Sequence, residues 1–128
     1  MDPEDAIEDW AVRAERQAAL TAELGERLQQ QRASAESTGG EVDLTVDHSG
    51  GLAGLRLTDR AMRLAPDALA EMILATSRRA QAKLAERVSE MVGSIYGAGS
   101  ETASWIGGAY AEQFPEPDED DDEERARR

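Results

Sequence analysis

Hydrophobic and polar positions alternate clearly in only one part of the chain. Between Glu41 and Asp59, Val42, Leu44 and Val46 alternate with Asp43, Thr45 and Asp47. A His-Ser-Gly-Gly turn follows, and then Leu55 and Leu57 alternate with Arg56 and Thr58. Period two is the pattern of a half-buried strand, so the stretch predicts a β-hairpin with Val42, Leu44, Val46, Leu55 and Leu57 on one face. The other face carries Asp43, Thr45, Asp47, Arg56 and Thr58, where an Asp opposed to an Arg adds roughly a few tenths of a kcal/mol. Just upstream, Ala33, Ala35 and Ser37 alternate weakly, as an edge strand would, and Gly39-Gly40 makes a turn.

Helical spacing flanks this small sheet on both sides. Residues 4–32 are rich in Ala, Glu, Arg, Gln and Leu, all good helix formers. Ile7, Trp10, Ala14, Leu24 and Leu28 form a narrow stripe along them, closer to a coiled-coil seam than to a wide core face. Pro66 fits the first position of a second helix, followed by Asp67 and Glu71 in its first turns. Leu69, Ile73, Ala80, Leu84, Val88 and Met91 carry its apolar stripe, and Gly93 or Gly97 should end it. At a rise of 1.5 Å per residue each helix runs to about 40 Å, whereas six-residue strands span only ~20 Å. The helices therefore project beyond the sheet, and a homodimer, joined sheet edge to sheet edge or helix to helix, is the natural way to bury what protrudes.

Beyond Tyr96 the pattern loosens. Trp105, Ile106, Ala109, Tyr110 and Phe114 share helical spacing, as a short docking helix would, but Gly107 and Gly108 argue against a stable one. From Pro115 the chain reads PEPDEDDDEERARR, the composition of a solvated, disordered tail. The expected organisation is a domain over 1–96, a loosely structured aromatic segment over 97–114 and an acidic tail over 115–128. The fold class is α+β, a small antiparallel sheet between two long helices.

Composition narrows the chemistry. The 128 residues contain no cysteine and one histidine, so disulfides, thiolate metal sites, cysteine nucleophiles and a multi-His metal site within one chain are excluded. No cofactor is expected. No run of 18 apolar residues suggests a membrane span, and the acidic start MDPEDAIEDW lacks the apolar region of a secretory signal, so a cytoplasmic protein is the default. The carboxylates form no recognisable acid/base pair, and an enzyme is not expected. Gly50-Gly51 lacks the spacing of a phosphate loop and reads as a turn, with His48 as an exposed loop residue beside it. The acidic run 118–124 lacks the spacing of a calcium loop and reads as a solubility or self-screening tail.

Charge then divides the chain. The formal net charge is −13, which opposes non-specific nucleic-acid binding by the molecule as a whole. Residues 1–47 hold 12 acids against 4 arginines, and residues 88–128 hold 11 acids against 3 arginines. Between them, residues 56–87 carry seven cations against four acids. Arg79, Lys83 and Arg87 recur every four residues and share one helix face, with Arg78 beside them. They are either a phosphate-contacting patch or a solvated face paired with nearby acids. Arg56, Arg60 and Arg63 either extend that patch or balance Asp43, Asp47 and Asp59. Trp105, Tyr110 and Phe114 either meet a partner or pack back on the protein. Trp105-Ile106-Gly107 matches the W-x-G tripeptide of small type VII secreted proteins, but a hairpin, not that tripeptide, joins the long helices here.

The stretch STGGEVDLTVDHSGGLAGLRLTDRAM…APDALAEMILATSRRAQAKLAERVSEM, within roughly residues 8–92, resembles the YbaB/EbfC family of bacterial nucleoid-associated proteins. Thirteen of the 14 basic residues are arginine and asparagine is absent, a bias that suggests an actinobacterial-type member. The resemblance implies an α-β-β-β-α domain whose first strand covers 33–38, and an intertwined homodimer with projecting helices. It also implies DNA binding, in the nucleoid, with the projecting helices in contact. A second reading stays open beside it: a protein-interaction module of the same fold that does not bind DNA, such as an accessory protein linked to type VII secretion.

Overall fold

The computed structural model describes residues 2–117, and the acidic run expected to form the tail lies outside them. The elements follow in the order α1 (Pro3–Gln29), β1 (Ala33–Glu36), β2 (Val42–Val46), β3 (Leu52–Leu57), a 3-10 turn (Ala61–Arg63), α2 (Pro66–Tyr96) and α3 (Glu101–Gln113). The sheet is an antiparallel meander in the order β1-β2-β3. Val42 lies opposite Leu57, Asp43 opposite Arg56 and Leu44 opposite Leu55, so the apolar and polar faces separate as the alternation requires. A bulge at Thr45/Val46 shifts the last pair, placing Val46 opposite Leu52.

α2 lies across β1 and β2 and makes the core with them. Val42, Leu44 and Val46 from the sheet and Leu84, Val88 and Val92 from the helix are completely buried. Each such side chain contributes roughly 1.5–3 kcal/mol by leaving water. Pro66 stands at the start of α2 and Gly97, at φ 95°, ends it. A positive φ strains any residue with a Cβ, which is why the helix stops at this glycine and not at Gly93.

β3 is different. Its apolar side chains point to the same side as those of β2, yet α2 does not reach over them. Leu52, Leu55 and Leu57 stay 53%, 44% and 38% exposed. α1 is equally bare. Only Leu24 and Leu28, near its end, pack against the core, while Ile7 and Trp10 are 66% and 67% exposed. The stripe expected over the whole of α1 thus meets the core only in its last two turns.

The segment expected to be loose contains α3. Ser100 caps it, its hydroxyl accepting from the Ala103 amide at 3.0 Å. Gly107, which weakens the helix in isolation, is what lets it dock: a Cβ there would lie 2.8 Å from the Ser89 hydroxyl of α2. Tertiary packing outweighs propensity at this position.

Candidate nucleic-acid interface

Three of the cations singled out by their spacing meet one strand edge. Antiparallel pairing turns the backbone groups of Ser34 and Glu36 away from β2, leaving an outward row of carbonyls that Arg32 extends. Arg79 donates to the Glu36 carbonyl at 2.5 Å, Lys83 to the Ser34 carbonyl at 3.3 Å and Arg87 to the Arg32 carbonyl at 2.7 Å. The match is metrical. Four helix residues advance about 6 Å and two strand residues about 6.6 Å, so a cation every fourth residue meets a carbonyl every second residue. The bonds lie at the exposed rim of the sheet. A guanidinium has five donors and an ammonium three, so each head group keeps hydrogens for a further ligand. Among the described residues no carboxylate stands in ion-pair contact with Arg79, Lys83 or Arg87.

The other four cations do not join this row. Arg78 is half-buried and points about 100° around the helix from Arg79. Arg56 lies on the polar face of β3, opposite Asp43. Arg63 is exposed at the end of the 3-10 turn. Arg60 donates to the Gly39 carbonyl and sits 4.0 Å from the Glu41 carboxylate. Arg60 and Arg79 therefore hold two carbonyls at the same end of the sheet, on either side of the β1–β2 turn. Glu41 itself is held below the ordinary carboxylate range, first by the Ser37 hydroxyl, which donates to it at 2.8 Å, and further by Arg60.

The aromatic residues divide as well. Tyr110 and Phe114 turn inward and clamp the β2–β3 turn. The Tyr110 hydroxyl donates to the His48 carbonyl at 3.0 Å, and burial raises its pKa. The Phe114 ring lies on Gly50, whose φ is 82°, so closely that no Cβ would fit between them. Gln81 of α2 completes the clamp, donating to the Gly50 carbonyl at 2.9 Å. Inside the turn Asp47 accepts from the Ser49 hydroxyl, the Ser49 amide and the Gly51 amide, which holds its carboxyl below the usual range. Trp105 faces the other way and is 76% exposed.

Sequence reasoning did not find Gln81 or the three carbonyl acceptors. The acceptors had a signal: a four-residue repeat of cations on a helix packed antiparallel to a strand has the strand's two-residue pitch. Gln81 had none, because its partner depends on how the hairpin curls.

A model of the YbaB/EbfC DNA-binding family matches residues 5–99, about three-quarters of the chain, and α3 lies beyond the match. No curated protein and no solved structure matches the chain. Among the described residues no helix is long and apolar enough to cross a membrane, and no group of three His, Cys, Asp or Glu side chains is placed to hold a metal ion.

Proposed function

The chain belongs to the YbaB/EbfC DNA-binding family, and we propose that it binds duplex DNA as a homodimer with little sequence preference, as a nucleoid-associated protein. The observation that carries the proposal is the row Arg79, Lys83 and Arg87. Carbonyl bonds hold the three side chains, which start from helix positions about 6 Å apart, and their remaining donors suit phosphate oxygens. Nothing in the row reads bases, so the affinity is electrostatic and low in sequence information. Arg56 and Arg60, which face Asp43 and Glu41, and Arg63 stand apart from the row and have a lesser part in the contact.

The homodimer is supported by what one chain leaves bare. The apolar side of β3 and the stripe of Ile7 and Trp10 on α1 each need cover, and a second copy supplies both. Six cations from two copies give log K a slope of about −5 against log salt.

The test is fluorescence anisotropy of a labelled duplex against residues 1–114, which omit the acidic run. Binding at low salt that falls with that slope is expected. Replacing Arg79, Lys83 and Arg87 by Gln, which removes the charge but keeps a polar N–H donor at each position, should weaken it at least tenfold. No binding at the lowest salt, or unchanged affinity in the triple variant, sinks the proposal.

One observation favours the second reading, a protein-interaction module. Trp105 stands exposed on a helix whose other aromatic residues are anchored, the arrangement of a contact residue on a rigid support. A pull-down that loses a specific partner on Trp105→Ala, from a protein that fails the DNA assay, would decide for it.

A further inference from the structure

We propose that the row Arg87, Lys83, Arg79 is the docking surface for the chain's own acidic run, Asp118–Glu124. Four observations lead to this partner.

The first is vacancy of charge. The row has spare donors, and no described carboxylate neutralises it. Arg60, by contrast, already faces Glu41, and Arg56 is registered with Asp43. Glu86 and Glu90 share the flank of α2 with the row but form no ion pair with it among the described residues.

The second is composition. Residues 118–124 are seven consecutive acids, the densest negative charge in the sequence, against three arginines in the four residues that follow, and the row belongs to the net-positive stretch 56–87.

The third is pitch. Alternate residues of an extended chain stand about 6.6 Å apart. Asp118, Asp120, Asp122 and Glu124 would then present carboxylates at nearly the spacing of the cations. Carboxylate pairs with a guanidinium through charge-assisted hydrogen bonds, in the geometry a phosphate would use.

The fourth is placement. Tyr110 and Phe114 pin the chain to the β2–β3 turn. That turn lies at the end of the sheet where Ala33 pairs with Val46, and Arg87 meets the Arg32 carbonyl at this same end. From Phe114 to the edge of β1 is about one and a half strand spacings, or ~7 Å, and three residues span up to ~10 Å. α3, which lies outside the family match, thus ends within reach of the first cation of the row.

A tethered partner acts at an effective concentration in the mM range. Under the DNA-binding reading, on which this consequence rests, the run competes with phosphate and sets the affinity of the full chain.

The chain lacks cysteine, so a single spin label at Ala126→Cys reports on the run with all seven acids kept. In the full-length protein at low salt we expect broadening of amide signals in 32–36 and 79–87. It should vanish at 1 M salt, where the screening length is ~3 Å, and in the Arg79→Gln/Lys83→Gln/Arg87→Gln variant. Absence of broadening at low salt, or its persistence in that variant, overturns the docking whatever DNA does. In a second arm the seven acids become Asn and Gln in the full chain, and DNA affinity at low salt should rise at least tenfold. Unchanged affinity overturns the competition. Failure of every form to bind DNA, with the broadening intact, refutes the DNA reading and leaves the docking standing.

Discussion

The two edges of this sheet come from alternating strands, the weakly apolar β1 and the more apolar β3, and end in opposite states. β1 buries Ala33 and Ala35 under α2, and its two outward carbonyls and that of Arg32 just before it are taken by three cations. β3 repeats the same alternation with larger side chains, Leu52, Leu55 and Leu57, and leaves them half exposed, with no strand beyond it among the described residues. The difference lies in α2, not in the strands. One helix is about 10 Å across and two adjacent strands occupy about the same width, so a helix centred over β1 and β2 does not cover β3. A one-helix cover therefore leaves one edge with its outward carbonyls capped and one edge open, and under the proposed homodimer the open edge is the one a second molecule would cover.

The strongest way to test this contrast is to truncate equivalent positions. Leu44→Ala, at the buried centre of β2, should cost roughly 2–5 kcal/mol in urea unfolding. Its cross-strand neighbour changed to Leu55→Ala should cost a small fraction of that when measured dilute enough for monomers. Equal losses at both positions would mean that β3 is covered after all.

A charge on the open face comes next. Leu55→Asp should convert a dimer to a monomer in sedimentation velocity while the melting of the isolated chain changes little. A dimer that persists would place the contact elsewhere, on α1 or α3.

The sealed edge can be opened. Arg79→Ala/Lys83→Ala/Arg87→Ala removes donors worth about 0.5–1.5 kcal/mol each and bares the carbonyls of β1. Light scattering should then show concentration-dependent association that the Gln variants, which keep a donor at each position, show less. Identical behaviour of the two variants would mean the bonds do not guard the edge.

The smallest effects concern the turn at the foot of the sheet. Tyr110→Phe should cost about 0.5–1.5 kcal/mol. Asp47 and Glu41 have pKa values lowered in the folded chain. Their contribution is therefore complete above the ordinary carboxylate pKa of about 4 and is lost as pH falls through the lower folded values. Asp47→Asn should flatten the acid limb of a pH–stability curve below about pH 4, and an unchanged limb would show that the turn does not feel its carboxylate.

Much of this was legible in the sequence because it is local. Alternation marked the hairpin and set Asp and Arg on one face, while the pairing itself, Asp43 with Arg56, and the bulge that brings Leu52 opposite Val46 come from the structure. Pro66 marked the start of α2, and one of two named glycines marked its end. Other features depend on how elements approach each other. α3 looked unstable because the glycine that weakens it alone is the one that admits it against Ser89. The bareness of β3 was hidden because a pattern of leucines states which face is apolar, not whether anything lies over it. Tyr110 and Phe114 looked like Trp105 from spacing alone, and only the curl of the hairpin separates them. The basic row was visible as charge, while its acceptors, being backbone, carry no residue signature.

The near-match of helix and strand pitch works like a vernier scale. Each step along the row loses about 0.6 Å of alignment, so the coincidence holds over a few marks and then drifts out of phase. The positions that would bear the next marks, Ala75 and Met91, are buried and apolar. The device therefore has a fixed working length of three contacts, and β1 at four residues is about as long as it can serve. Lengthening that strand by two residues would leave an unguarded stretch of backbone, which makes strand length, ordinarily a neutral variable in a meander, a constrained one here.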